Sequence, residues 1–171
     1  QPKRDIAAEL AAVLALSAIQ NNYRVGLVIF SDDVEHFIPP KKGRKHVLRV
    51  ITDVLSHKSS GSGTNIGSAL EYVSRVTKRK AVVFLLSDFL TSGYERDLKI
   101  AARRHDVVPI VLEDPLETDL PKLGGIVPTR DLETGEVAWI DLGSRRQRNA
   151  YHEQIEERRE ERDRLFKKLK L

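Results

Sequence analysis

Acidic and hydroxyl side chains stand at the ends of hydrophobic runs, where they could bind a hard cation. Asp88 follows the most apolar run of the chain, residues 81–86, and the pair Asp32 and Asp33 follows another. Thr64 begins a helical pattern that leads directly into the run ending before Asp88. Ligands of open α/β sheets bind at the carboxyl ends of the strands, so we expect Thr64 and Asp88 at one edge. A hydroxyl and a carboxylate are oxygen ligands suited to magnesium, although strand-end Asp residues also serve simply as turn formers.

Other chemistries lack their sequence signatures. The glycine-rich stretch 61–67 has Ile66 where a dinucleotide-binding motif requires its last glycine, and no strand precedes it. Its simpler interpretation is a loop in which Thr64 or Asn65 caps the next helix. The five histidines show no metal-ligand spacing, which favours surface or cap roles. No serine has a G-x-S-x-G context, and the absence of cysteine excludes thiolate sites.

The hydrophobic pattern alternates between helix and strand periods, which predicts an α/β fold with right-handed crossovers and one mostly parallel sheet. We expect helices over residues 4–21, 44–57, 66–76, 94–105 and 145–169. We expect strands over residues 25–30, 34–38, 81–86 and 107–112, with an antiparallel hairpin formed by 127–132 and 136–142 around a turn at 133–135. Pro109 predicts an edge or a bulge in its strand.

Length and charge limit the class of protein further. The 171 residues suffice for one domain, which we assign to residues 1–143, followed by a charged helix over 144–171. Residues 143–171 contain ten basic and six acidic residues, which accounts for the whole net charge of +4. The rest of the chain is balanced and only 6% of residues are aromatic, so we expect no nucleic-acid binding. We expect Leu165, Phe166 and Leu169 to pack the helix onto the domain.

Five short segments, in order and spacing, resemble a known family. They are Asn22–Asp32, Ile38–His46, Gly63–Asn65, Leu85–Phe89 and Arg130–Asp141. Together they resemble the von Willebrand factor type A-like (vWA-like) domain of the bacterial family called domain of unknown function 58. The resemblance implies a three-layer, Rossmann-like α/β fold with antiparallel edge hairpins and a long C-terminal helix.

The resemblance also implies a metal-ion-dependent adhesion site. Domains of this class hold a divalent cation through an Asp-x-Ser-x-Ser limb after the first strand, a Thr in a middle loop and an Asp after the fourth strand. Thr64 and Asp88 match the second and third limbs, but no residues match the first limb. The chain begins at Gln1 and contains no Met, so we expect a fragment that lacks the first strand and this limb. We accordingly expect no bound metal in the fragment and magnesium in the full-length protein.

A missing first strand has a structural consequence. The strands ending at Phe30 and Ser87 would flank a slot about 9.6 Å wide, which is two strand spacings. Unpaired backbone groups along such a slot are unfavourable. We expect that the slot closes, that another chain fills it to give a homo-oligomer, or that the parent protein supplies the strand.

The resemblance implies a non-enzymatic protein–protein interaction domain. Related domains accompany AAA+ ATPases of the MoxR type, so such an ATPase is the expected partner. Family members often carry membrane-spanning segments upstream, which implies a cytoplasmic domain of a parent anchored to the inner membrane, with no membrane contact by these residues. The alternative is a magnesium-dependent phosphoryl-transfer enzyme that uses Asp32, Asp33 and Asp88 at the same edge.

Overall fold

A computed structural model of the chain describes residues 2–61, 63–113, 125–130 and 137–171. The helices are α1 (Pro2–Gln20), α2 (Arg44–Ser56), α3 (Ile66–Val76), α4 (Glu95–Arg104) and α5 (Arg145–Leu169). The strands are β1 (Val25–Phe30), β2 (Val34–Lys41), β3 (Val82–Ser87), β4 (Asp106–Val111), β5 (Ile126–Arg130) and β6 (Val137–Asp141). The predicted α/β class is confirmed, as are the C-terminal hairpin and the long terminal helix. The turn predicted at residues 133–135 lies outside the described residues.

The described strands associate in three pairs. β1 is antiparallel to β2, β3 is parallel to β4, and β5 is antiparallel to β6. The sequence pattern predicted one mostly parallel sheet, whereas β3–β4 is the one parallel pair in the ranges given above. β1 and β3 are not hydrogen-bonded to each other there, so direct pairing does not close the predicted slot. A strand from another chain or from the parent protein stays a prediction.

Helices cover the strands through two hydrophobic clusters. The first, which we call the β1–β2 core, joins α1 and α2 to the first hairpin through Ala15, Ile38, Val47 and Val50. The second, the β3–β4 core, joins α3 and α4 to the parallel pair through Ile66, Leu70, Leu85, Phe89, Tyr94, Leu98, Ala101 and Val107. The predicted anchors of α5, Leu165, Phe166 and Leu169, pack against this second cluster. The terminal helix is therefore attached to the body of the fold.

Local chemistry explains where the helices begin and end. Asn22, the second residue after α1, adopts a left-handed φ of 53°, a conformation that Asn tolerates better than most residues. The Asn65 side chain caps α3 by accepting from the Ser68 amide at 2.9 Å. Ser144 caps α5 in the same way, through the Gln147 amide. The predicted end of α1 and the predicted cap of α3 are thus confirmed.

One strand boundary was wrong. We expected β2 to end at Pro39 and Pro40, but the strand continues through both prolines. Prolines are tolerated on edge strands, where their missing amide removes no ladder hydrogen bond. The register shifts between Val25 and Leu27, opposite the two prolines, and Gly26 makes room there, because a Cβ at Gly26 would lie 2.9 Å from the Pro40 Cγ.

No helix in the described ranges is both long enough and apolar enough to cross a membrane.

His105 gives the fold a predictable dependence on pH. Its ring is 2% exposed, and neither ring nitrogen has a hydrogen-bond partner in the described part of the chain. Burial lowers the pKa of His105, and the neighbouring Arg104 lowers it further. Below about pH 6.5 the unfolded chain binds a proton that the folded chain excludes, so stability is lost as pH falls.

We therefore expect His105→Leu to reduce the loss of stability between pH 7.5 and pH 5.5. Urea unfolding at both pH values measures it, and His152→Leu on the exposed surface of α5 is the control. An identical pH dependence in the His105→Leu variant and the unmodified protein would contradict the argument.

Candidate functional site

Three segments bring the predicted site residues to the carboxyl ends of β1 and β3. Asp32 and Asp33 lie in the turn from β1 into β2, and Asp88 directly follows β3. Thr64 lies two residues before α3, in the segment that enters this helix. These positions agree with the expectation that the strand ends carry the polar side chains.

Thr64 and Asp88 are each next to or near a residue of the same core. Ile66, two residues after Thr64, and Phe89, next to Asp88, are both buried in the β3–β4 core. Asp88 Oδ1 accepts from the Leu90 amide at 3.3 Å, and no hydrogen bond joins the Asp88 carboxylate to the Thr64 hydroxyl within the described ranges. Convergence of the two side chains on one cation stays a prediction.

A lysine lies beside the Asp88 carboxylate. Lys3 Nζ is 3.3 Å from Asp88 Oδ2, and the two side chains are 21% and 31% exposed. Sequence reasoning did not find this pair, because 85 residues separate its members. The Lys3 ammonium therefore neutralises the charge that a cation at Asp88 would use.

The oxygen donors have the right chemistry for magnesium but are too few. Magnesium requires six oxygen ligands in octahedral geometry and usually keeps several waters. Within the described ranges no group of three or more His, Cys, Asp or Glu side chains is close enough to hold a metal ion. Thr64 and Asp88 alone do not make a complete cation site.

The same edge contains a densely bonded carboxylate that sequence reasoning missed. The Glu35 side chain is 7% exposed. Its Oε1 accepts from the Ser31 hydroxyl at 2.6 Å, and its Oε2 lies 2.6 Å from His57 Nε2. Oε1 also accepts from the Ser59 hydroxyl at 2.8 Å, the Ser60 amide at 3.0 Å and the Gly61 amide at 2.9 Å. We call these six residues the Glu35 clasp: Ser31, Glu35, His57, Ser59, Ser60 and Gly61.

Hydrogen bonding keeps the Glu35 carboxylate ionised. The Ser31 hydroxyl, then His57, the Gly61 amide and the Ser59 hydroxyl hold the pKa of Glu35 well below its usual range. The clasp therefore contributes stability at every pH above the usual glutamate pKa. That contribution is lost only as pH falls through the lower pKa of the folded state.

Two glycines let the loop after α2 approach the β1–β2 turn. A side chain at Gly61 would overlap with the Ser31 hydroxyl, and its Cβ would lie 2.7 Å from the Ser31 Cβ. A side chain at Gly63 would overlap with the Asp32 carboxylate, which accepts from the Gly63 amide at 3.1 Å. The glycine-rich stretch is thus a packing feature, in agreement with its simpler interpretation as a helix-entry loop.

Histidines support the clasp from the side of α2. The rings of His36 and His57 stack with centroids 6.0 Å apart, and His36 Nε2 lies 3.0 Å from Asp53 Oδ2. His46 Nε2 contacts the Val25 carbonyl, and His105 follows α4 as its cap residue. His36 and His46 thus have hydrogen-bonding roles on partly exposed elements, whereas His105 occupies the cap position of α4 but is buried, contrary to a surface role.

Comparisons with known proteins identify the family. The sequence model of the family described as "Protein of unknown function DUF58" matches residues 1–161. Uncharacterised proteins of Mycobacterium tuberculosis (Rv1480) and Mycobacterium bovis (Mb1516) are each 28% identical over 138 residues, which is 79% of this chain and 43% of theirs. An uncharacterised Mycobacterium avium protein, MAV169, is 28% identical over 101 residues, 57% of this chain and 59% of that protein. The chain thus spans less than half the length of the first two relatives.

A solved structure shares the fold. The crystal structure of the conserved hypothetical protein BatB from Bacteroides thetaiotaomicron superimposes with a TM-score of 0.58 and 19% sequence identity. The match covers 91% of this chain and 75% of the BatB chain. At this identity the similarity concerns the fold alone.

Proposed function

Because the chain belongs to the DUF58 family, we propose that it is a non-enzymatic protein-interaction domain of the vWA type. The observation that carries the proposal is the arrangement at the carboxyl ends of β1 and β3. Exposed Thr64, partly exposed Asp88 and a loop held by hydrogen bonds to Glu35 and Asp32 lie on segments that meet the ends of these strands. Binding sites of α/β folds occur at such edges.

In the full-length protein, magnesium would be held by Thr64 and Asp88 together with groups that these described residues do not supply. An Asp-x-Ser-x-Ser limb of the parent and a carboxylate of the partner would provide the remaining oxygens. Partner binding would then select one acidic side chain, and the loops beside Asp32 and Asp88 would set specificity. Since Lys3 occupies the Asp88 carboxylate, a cation would have to displace its ammonium group.

The partner we propose is a MoxR-type AAA+ ATPase, on the basis of the family resemblance. The domain would hold the ATPase near the protein that it remodels. For the full-length protein we propose a cytoplasmic position of this domain beneath a membrane anchor. An assembly of several copies through unpaired strand edges is part of the same proposal.

The alternative is magnesium-dependent phosphoryl transfer at the same edge. Lys3 beside Asp88 favours it, because such chemistry needs a cationic side chain to balance phosphate charge. One observation argues against phosphoryl transfer: the Asp32 carboxylate accepts a hydrogen bond from the Gly63 amide and so has a structural role. We therefore prefer the interaction domain.

Binding of the full-length protein to a purified MoxR-type ATPase from the same organism tests the proposal. We expect binding in magnesium, loss of binding in EDTA, and weakening of about tenfold or more for Asp88→Asn and Thr64→Ala. Asp5→Asn, which removes one exposed carboxylate from α1, is the matched control and should bind normally.

The same variants distinguish the interaction domain from the phosphoryl-transfer enzyme. Magnesium-dependent hydrolysis of p-nitrophenyl phosphate that is lost in Asp88→Asn and kept in Asp5→Asn would support phosphoryl transfer and overturn the proposal. Equal binding of the ATPase in magnesium and in EDTA would contradict the proposed role of the metal in partner binding.

A further inference from the structure

The loop before α3 is attached at three successive points to the β1–β2 turn and the start of β2. The Ser60 and Gly61 amides donate to Glu35, and the Gly63 amide donates to Asp32. The Asn65 amide then donates to the Ser31 carbonyl at 2.7 Å. Ser31, Asp32 and Glu35 therefore hold the loop at residues 60, 61, 63 and 65, and Thr64 lies between the last two points of attachment.

The loop cannot hold this shape by itself. Residues 58–63 read Lys-Ser-Ser-Gly-Ser-Gly, a composition typical of flexible linkers. Glycine also loses more conformational freedom on ordering than other residues do. The external hydrogen bonds of the turn are thus what fixes the residues leading to Thr64.

From these contacts we propose that Glu35 is a positioning residue, which fixes the loop after α2 and thereby sets the position of the Thr64 hydroxyl. The inference rests on the proposed function, in which Thr64 is a cation ligand. Glu35 acts through the loop and does not itself touch the cation. The inference adds Glu35, which lies 29 positions before Thr64 in the sequence, to the residues on which the proposed site depends.

Only a carboxylate can do this at position 35. An ionised carboxylate offers about four lone-pair sites and no donor, whereas a glutamine amide offers one acceptor oxygen and two N–H donors. Five donors from four residues converge on Glu35 Oε1, and His57 contacts Oε2. In Glu35→Gln, the amide nitrogen would face groups that themselves donate. The variant keeps the size of the side chain and removes its ability to hold the loop.

Amide hydrogen exchange in the full-length protein tests the attachment. In Glu35→Gln we expect the Ser60, Gly61 and Gly63 amides to exchange about tenfold faster or more, with little change in α4. Glu71→Gln makes the same chemical change at an exposed position of α3 and is the matched control. Gly61→Ala, whose methyl group would push Ser31 away, should produce the same local acceleration without any change in charge.

Binding of Mn²⁺, measured by calorimetry on the same proteins, tests positioning. Both loop variants should weaken Mn²⁺ binding about tenfold, whereas Glu71→Gln should not. Unchanged exchange at Ser60 and Gly61 overturns the inference, and so does faster exchange with unchanged Mn²⁺ affinity. If the unmodified protein binds no Mn²⁺, the metal part of the proposed function fails, and exchange of the Gly63 and Thr64 amides decides whether Glu35 positions this segment.

Discussion

Replacing Leu98 by alanine is expected to lower the free energy of unfolding by about 3–5 kcal/mol, the range for a fully buried leucine that leaves a cavity. Leu98 is 0% exposed and lies in the β3–β4 core. Its neighbours in this cluster come from α3, α4 and both parallel strands, so no single element can move to fill the space. Urea unfolding followed by far-UV circular dichroism measures the change.

Leu55→Ala is the matched control for this prediction. Leu55 lies near the end of α2 and is 59% exposed, so the same chemical change there should alter stability by about 0.5 kcal/mol or less. Similar losses for Leu98→Ala and Leu55→Ala would contradict the burial that the structure assigns to Leu98.

The helices were predictable because their signals are local. The apolar period and the Ser144 cap give α5 the bounds that were expected, and Asn22 ends α1 through its own backbone conformation. A period of this kind needs no knowledge of distant residues. It identifies elements and their buried faces.

Strand pairing was less predictable, because the pattern of a strand does not state its neighbours. Residues 81–86, the most apolar run of the chain, were expected to form a strand of one mostly parallel sheet. In the structure one face of β3 packs on α3 and α4, whereas Val82 and Phe84 on the other face are 57% and 45% exposed. Parallel strands are normally covered on both faces. This exposed face lies on the strand that would border the predicted slot.

The candidate site also contains some residues that could be predicted from the sequence and others that could not. Thr64 and Asp88 could be found from their positions after predicted turns and strands. Glu35 and Lys3 could not, because the bonds from Glu35 to Gly61 and from Lys3 to Asp88 span 26 and 85 residues. A serine four residues before a glutamate across a turn, as at Ser31 and Glu35, is a weak sequence signal. Only the structure shows that the two side chains are hydrogen-bonded to each other. Long-range hydrogen bonds leave no periodic pattern in the sequence from which they could be predicted.

Replacing Phe89 by alanine is expected to lower the free energy of unfolding by about 3–5 kcal/mol as well, since a buried aromatic ring is removed. Phe89 follows Asp88, is 2% exposed, and packs edge-to-face on Phe166 of α5 with ring centroids 5.1 Å apart. A double-mutant cycle of Phe89→Ala and Phe166→Ala should give a coupling of about 0.5–1.5 kcal/mol, as for other aromatic pairs. This pair joins the terminal helix to the loop that carries Asp88.

The backbone conformation of Phe89 provides a second test, beside the decrease in the free energy of unfolding. Its φ of 55° is unusual for a bulky residue, and the Ser87 hydroxyl stabilises this turn by accepting from the Phe89 amide. At an ordinary position glycine is less stable than alanine by about 0.5–1 kcal/mol, but a positive φ favours glycine. We therefore expect Phe89→Gly to be no less stable than Phe89→Ala in urea unfolding. If the glycine variant is the less stable of the two by the ordinary margin, residue 89 does not hold a left-handed conformation in the folded protein, and the turn that carries Asp88 differs from the one described.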